Sequence, residues 1–274
     1  MSAPFRPKTD ARDDGFREIV TLRAGETGCA QLADKVITEA PIALVYNGVS
    51  FAVMMATPRD LEDFALGFAL AEGIVATPGE FELVDVLETR QGVSLQALIP
   101  SIRFDALQRR RRSLAGRSGC GLCGIESLEE AVRPSPAVTS GVRLDRAAIA
   151  AGMHALAERQ PLNAITGGAH AAAFIANGDA IVREDVGRHN ALDKLIGARA
   201  VDERLRREDG FLAITSRASW EMVHKAAHAG IGVIAAISAP TSLAVEAADA
   251  AGITLIAFAR DEAMNVYSHA QRVR

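Results

Sequence analysis

The sequence predicts an α/β protein in two parts, a small N-terminal α+β unit followed by a C-terminal unit of alternating strands and helices. Three observations carry this. Hydrophobic residues make up 49% of the 274 positions and aromatics only 5%. The core must therefore be built from Ala, Val, Ile and Leu, which suits close helix–sheet packing. From Leu144 onward, short apolar runs alternate with helix-length segments. The last three runs, at 211–215, 232–237 and 253–257, are continuously apolar, as parallel strands covered on both faces must be.

Taken in order, residues 1–17 are charged and Pro-containing, and a disordered start is expected. Residues 18–105 form the small α+β domain. Apolar runs at 42–46 and 49–55 flank Asn47-Gly48, a pair that supplies the positive φ angles of a type I′ hairpin turn. Thr57-Pro58-Arg59-Asp60 then opens a helix with Leu61, Phe64, Ala65, Phe68 and Ala69 on one face and Gly73 at its end. Runs at 81–87 and 93–99, with Gly92 between them, read as two further strands. Residues 106–140 contain arginines, glycines and Pro134-Ser135-Pro136, and their composition predicts a flexible linker. Residues 141–274 form the α/β domain. Its expected elements are a helix at 146–158, strands near Ala164 and at 171–176, and helices at 190–199, 220–229 and 243–250 among the three apolar strands.

Charge and length exclude several classes. The net charge is −4, which does not suit a dedicated nucleic-acid binder. No apolar run reaches the about 18 residues of a membrane span. Three cysteines make no disulfide framework, and the start lacks an apolar leader core, so the expected compartment is the reducing cytoplasm.

The chemistry concentrates in four places. Gly119-Cys120-Gly121-Leu122-Cys123-Gly124 holds two of the three cysteines. It lies downstream of Arg109, Arg110, Arg111, Arg112 and Arg117, with no carboxylate between Asp105 and Glu126. A cationic neighbourhood favours thiolate, the nucleophilic form. A structural zinc site would need two more ligands, but Cys29 is alone and the six histidines are scattered. A thioredoxin-type site would sit between a strand and a helix. Sulfur transfer through Cys120 and Cys123 is therefore preferred over metal or redox chemistry.

The second place is Arg183-Glu184-Asp185-Val186-Gly187-Arg188-His189-Asn190, between a short strand and a helix. There Asp185 and His189 could serve an anion, or Asp185 could simply cap the helix. The third comprises the loops after the apolar strands: Ser216 and Arg217, then Ser238 to Thr241, then Phe258, Ala259, Arg260, Asp261, Glu262, Ala263 and Asn265. Ligands of open parallel sheets bind beyond the strands' carboxyl ends, although Ser and Thr there are also ordinary helix caps. The fourth is Gly167-Gly168-Ala169-His170, where His170 is either a ligand contact or a structural strand-start residue.

These segments together resemble the FdhD family, sulfur carriers needed for active formate dehydrogenase. The likeness rests on the Cys120–Cys123 motif, on Thr166 to His170, on Glu184 to Lys194, on Thr215-Ser216-Arg217, and on Phe258 to Arg260 with Asn265 and Tyr267. The resemblance implies a sulfurtransferase that receives sulfur from a cysteine desulfurase as a persulfide on Cys120, with Cys123 as companion. The acceptor would be the Mo-bis(molybdopterin guanine dinucleotide) cofactor, or its tungsten counterpart, before insertion into the formate dehydrogenase catalytic subunit. The stretch 258–263 matches the family's cofactor-binding segment, and a guanine nucleotide is expected in the same pocket, with no tightly held metal ion. The resemblance further implies a three-layer, cytidine-deaminase-like fold for the C-terminal domain and a homodimer. Deamination itself is disfavoured, since Gly119 rather than proline precedes the cysteine pair and His170 is followed by Ala171-Ala172. The competing classes are a non-enzymatic cofactor chaperone and a zinc- or redox-regulated nucleotide-binding module.

Overall fold

The computed structural model describes residues 14–26, 28–115, 133–260 and 262–274, in a mixed α/β architecture with three sheets. Cys120, Cys123 and Asp261 lie outside the described residues.

Strands β1 (Phe16–Gly25) and β2 (Gly28–Ile37) pair antiparallel as a mostly exposed ribbon carrying Cys29 near its tip. A four-stranded sheet follows in the order β4-β3-β6-β5, from β3 (Ala40–Tyr46), β4 (Val49–Ala56), β5 (Glu82–Glu88) and β6 (Val93–Leu98). Asn47 and Gly48 take positive φ between β3 and β4, as the hairpin reading requires. Asn47 also ties this turn to the end of β6, donating to the Ile99 carbonyl at 3.0 Å and accepting from its amide at 2.8 Å.

Helix α1 (Leu61–Ala71) follows β4, and helix α2 (Ser101–Ala115) follows β6. The expected linker from 106 thus begins inside α2, because the arginine run has good helix formers and no breaker before Gly116. At the other end of that stretch, Val138 and Val142 are buried, and the Val138 amide donates to the Ala251 carbonyl at 2.8 Å.

The C-terminal elements are α3 (Arg146–Glu158), α4 (Pro161–Thr166), β7 (His170–Ala176), β8 (Asp179–Asp185), α5 (Arg188–Val201) and α6 (Glu203–Arg207). These are followed by β9 (Phe211–Ile214), α7 (Trp220–His228), β10 (Val233–Ala236), α8 (Ser242–Ala251), β11 (Thr254–Arg260) and β12 (Ala263–Val266). The strand expected near Ala164 is helix α4. Pro161 suits a first helical position, and the Glu184 carboxylate accepts from the Leu162 and Asn163 amides at 2.9 and 2.8 Å, filling that helix start.

The six-stranded sheet runs β12-β11-β10-β9-β7-β8. Strands β9, β10 and β11 are parallel to one another, as their unbroken apolar runs predict, while β7, β8 and β12 join antiparallel. One face (Ala173, Ile175, Ala213, Ala235) packs on Ile149, Met153 and Leu156 of α3. The other face (Phe174, Leu212, Ile234, Leu255) packs into a cluster that includes α5, α7, α8, α1 and the inner face of the four-stranded sheet. A single buried cluster therefore runs through both halves of the chain.

A tight helix crossing joins those halves. A Cβ on Gly67 of α1 would overlap the Asp193 carbonyl of α5, and a Cβ on Gly197 would overlap the Asp63 carbonyl. Reciprocal glycines let the two backbones touch, a packing that no side chain could share.

Candidate functional site

Strand direction decides where the motif residues meet. Because β7 runs against both β8 and β9, the start of β7 and the ends of β8, β9, β10 and β11 share one edge of the sheet. His170 opens β7 opposite Asp185, the last residue of β8. Its neighbour Ala171 exchanges bonds with Thr215, whose Oγ1 accepts from the Ala171 amide at 2.9 Å and whose amide donates back at 3.1 Å. The loops after β9 and β10 are stitched together, since Ala218 donates to the Ala239 carbonyl and Thr241 donates to that of Ala218. Phe258 in turn donates to the Ser238 carbonyl at 3.2 Å. The loops carrying Ser216, Arg217 and Phe258 thus line up along this carboxyl edge beside His170 and the turn into α5.

A buried ion pair holds that turn. Lys194 of α5 and Asp185 are both wholly buried, with Nζ 2.6 Å from Oδ2. The same carboxylate accepts from Thr57 N (3.0 Å), Gly187 N (2.8 Å) and Asn190 Nδ2 (3.0 Å). Lys194 also donates to the Thr57 carbonyl at 2.9 Å, and Thr57 Oγ1 accepts from Val186 N at 3.1 Å. Every acceptor position of Asp185 is occupied, so it shapes the turn and presents nothing outward. Nor does Asp185 cap the helix: Gly187 is the residue before α5, and no side chain bonds the free amides of that helix start.

Beyond the turn, His189 Nε2 lies 2.8 Å from Glu221 Oε2, joining the first turn of α5 to that of α7. The His189 ring at this distance holds the Glu221 carboxyl below its usual range, against the opposing effect of burial. Burial, then the charges of Arg188 and His189, push the His170 imidazole below its ordinary value, with Asp185 acting in the opposite sense. His170 is thereby kept neutral, able to donate one N–H and accept at the other nitrogen.

The last part of the edge is strained. Phe258 takes φ 51° at an irregularity between Ala257 and Arg260, and the residue is 42% exposed. A bulky residue in the left-handed region with its ring in solvent points to a constraint other than packing. Ala259 beside it is buried, and Arg260 reaches back, its Nε donating to the Ile237 carbonyl at 3.2 Å.

Deeper, Lys225 of α7 bonds Asp193 at 2.9 and 3.1 Å and Glu72 at 3.0 Å, clamping α1, α5 and α7 together. Burial raises the Asp193 carboxyl to about 6 against the attraction of Lys225, and Glu72 adds to the rise. On the same helix Trp220, His224 and His228 form a column, with ring centroids 4.8 and 4.7 Å apart. Burial, then the charges of His228 and Arg133, lowers His224 to about 4. Its Nδ1 lies 3.0 Å from Ser135 Oγ.

The FdhD/NarQ family pattern matches residues 37–274. The chain belongs to that family. It is 53% identical over 275 residues to a Xanthomonas campestris pv. campestris protein named Sulfur carrier protein FdhD, covering 99% of this chain and 95% of that one. A Bordetella petrii protein of the same name is 44% identical over 279 residues, covering 100% and 99%. The fold is similar to the crystal structure of a candidate formate dehydrogenase accessory protein from Desulfotalea psychrophila. That match has a TM-score of 0.71 at 24% identity, over 94% of this chain and 99% of that one.

The FdhD/NarQ motifs divide once they are placed in space. His170 at the start of β7, His189 in the first turn of α5, and Ser216 and Arg217 after β9 all stand at the carboxyl edge, although Ser216 is buried and its Oγ donates to the Arg217 carbonyl. Phe258, Ala259 and Arg260 extend that edge along β11. Asn265 sits opposite Ala257 on β12, and its Nδ2 lies 3.4 Å from the Tyr267 hydroxyl. Ala263 pairs with Arg260. Glu262 instead lines a concavity of about 380 Å³ with Asp145, Arg146, Ala147 and Arg274. Thr241 is an ordinary cap, accepting from the Ala244 amide. A larger concavity of about 520 Å³ at the start of α1, lined by Pro58, Arg59, Asp60, Asp63 and Val86 among others, includes none of the family motifs. The sequence reading missed Thr57, Glu221 and the Lys194 pairing. It also set aside Trp220, His224 and His228, whose four-residue spacing is the signal that would have found the aromatic column.

Proposed function

We propose that this chain is a sulfur carrier for formate dehydrogenase, which passes sulfur from a cysteine desulfurase to the Mo-bis(molybdopterin guanine dinucleotide) cofactor before that cofactor enters the dehydrogenase. The observation that carries the reading is full-length kinship: the relatives named sulfur carriers match end to end, and so share the whole architecture rather than one module. In this reading the Cys120 thiolate attacks the terminal sulfur of the desulfurase persulfide. A new S–S bond forms on Cys120 as the desulfurase cysteine leaves as thiolate. Cys123 then attacks the Cys120 sulfur and releases sulfide to the acceptor, leaving a Cys120–Cys123 disulfide that a thiol reductant must reopen.

The cofactor is the substrate here, and the carboxyl edge is where its nucleotide end would lie. The donor chemistry fits phosphate and guanine groups: Arg217 and the neutral His170 offer N–H bonds, and the exposed Phe258 ring offers a stacking face. The reading includes a cytidine-deaminase-like C-terminal domain, a homodimer and a cytoplasmic location.

The test is intact-protein mass spectrometry after incubation with a cysteine desulfurase and cysteine. Wild type should gain about 32 Da per sulfur added, reversibly with reductant, and Cys120→Ala should gain none. If no variant gains sulfur while the desulfurase is active, sulfur transfer fails and a cofactor chaperone becomes the better reading.

A further inference from the structure

We propose that the β1–β2 ribbon is a dimerisation arm that lies on the outer face of the four-stranded sheet of a second copy of this chain, each copy giving one arm and receiving one. This rests on the homodimer of the proposed reading and names the two surfaces that meet in it.

The ribbon belongs to no larger sheet, since β1 and β2 pair only with each other. Its root is fixed: the Thr38 amide donates to the Gly15 carbonyl at 2.8 Å, and Ile37 lies against Gly168. Beyond the root it is bare. Every residue of β1 after Arg17 is exposed, and on β2 only Leu32 and Ile37 are partly covered. A two-stranded hairpin standing free in water is at best marginally stable, so this one needs a surface to lie on. The register sorts its side chains. Val20, Leu22, Ala24, Cys29 and Ala33 share one face, whose only charges, Glu18 and Lys35, stand opposite each other across the ladder. Val20 and Leu22 are 71% and 60% exposed there. The other face carries Arg17, Arg23 and Asp34 beside Ile19 and Val36. The first face is the one suited to apolar contact.

The same chain leaves a second apolar surface open. In the four-stranded sheet one register row runs Val53, Ala43, Ser94, Leu87, and another row on that face pairs Met55 with Pro41. These side chains point away from the core, because Leu44 and Leu95 of the alternate row lie in the buried cluster. Val53, Met55 and Leu87 are exposed. A sheet face left to water is ordinarily polar, and of these six residues only Ser94 is.

Area decides how the two surfaces are used. Ten residues at about 3.3 Å each, across two strands about 4.8 Å apart, make an arm face of roughly 330 Å². Arm on arm, or sheet on sheet, would bury about that much per copy, well short of the about 800 Å² per partner of a stable interface. Reciprocal exchange uses both surfaces of each copy, about 660 Å² before side-chain relief is added, and a two-fold axis closes it.

The experiment is sedimentation equilibrium of the full chain as wild type, an arm variant (Val20→Glu with Leu22→Glu), a face variant (Val53→Lys with Leu87→Lys), an equimolar mixture of the two, and all four substitutions in one chain. Melts followed by circular dichroism check that each is folded. Wild type should sediment at twice the chain mass. Each variant alone should raise the dimer dissociation constant about a hundredfold or more, because it sets charge against an apolar surface. The mixture should regain the dimer, since one arm–face contact is then native and the other opposes Glu to Lys; the fourfold variant should regain it in part. If a double variant does not fold, Val20→Ser and Val53→Ser carry the same test with a smaller shift. Wild-type affinity retained in a folded arm or face variant would overturn the inference. A monomeric wild type would overturn it together with the homodimer and leave the arm to a different protein, while the persulfide assay would still judge sulfur transfer on its own.

Discussion

Replacing Lys194 by Met isolates the interaction that shapes the turn into α5. The substitution keeps length and volume while deleting the ammonium, and it leaves Asp185 wholly buried without its ion-pair partner. Removing one member of a buried pair typically costs about 3–5 kcal/mol. Three N–H donors, from Thr57, Gly187 and Asn190, still support the carboxylate, so the lower end of that range is expected. Lost with the ammonium is its bond to the Thr57 carbonyl at 2.9 Å, one link between the N-terminal half and the edge. For a chain of this size, about 3 kcal/mol corresponds to a fall in Tm of about 6–12 °C. Urea denaturation of wild type, Lys194→Met, Asp185→Asn and the double variant closes a cycle, in which the double should be less damaged than the two singles summed by about 1 kcal/mol or more. A loss below about 1 kcal/mol for Lys194→Met, or strict additivity, would refute the claim that this pair holds the turn.

Gly67→Ala should destabilise the protein by about 1–3 kcal/mol, because the new methyl meets the Asp193 backbone rather than a side chain that can swing aside; an unchanged urea midpoint would show that α1 and α5 can separate freely. Two buried groups should titrate with opposite sign in one pH window. His224 stays neutral down to about 4 while the unfolded imidazole charges near 6.5, so its stabilisation is full above about 6.5 and is lost as pH falls toward 4. Asp193 keeps its proton up to about 6, against 3.8 unfolded, so its contribution is full below 3.8 and is lost as pH rises to 6. Relative to wild type, His224→Gln should lose less stability between pH 6.5 and 4, and Asp193→Asn should lose more; parallel curves of urea midpoint against pH would contradict both assignments. Phe258→Gly should leave stability within about 1 kcal/mol, as relief of the positive φ offsets the added chain entropy. It should weaken GDP and guanosine alike, and undiminished guanosine binding would remove the stacking role.

Local chemistry is legible in this sequence wherever one segment settles it. Asn47-Gly48 dictates its turn because few residue pairs accept two positive φ angles, and the three apolar runs dictate strands buried on both faces. The motif blocks that mark the FdhD/NarQ family are legible in the same way, residue by residue. The strand expected near Ala164 failed for a non-local reason. Its helix start is completed by Glu184, about twenty residues on, and no window around Ala164 contains that carboxylate.

The site depends on such distant pairings. His170 stands beside Asp185, and its neighbour Ala171 beside Thr215, only because β7 enters the sheet antiparallel, which turns its start toward the ends of β8 and β9. In the sequence Asp185 was open to two readings, an anion contact or a helix cap, and tertiary packing made it an ion-pair partner by bringing Lys194 and Thr57 to it. Sequence therefore determined the elements, the family and the residue types available for chemistry, since propensity, turn geometry and side-chain class are local. Which of those residues face a ligand and which are consumed inside was decided by the tertiary structure, because burial and partner choice are settled by contacts between segments far apart in the chain.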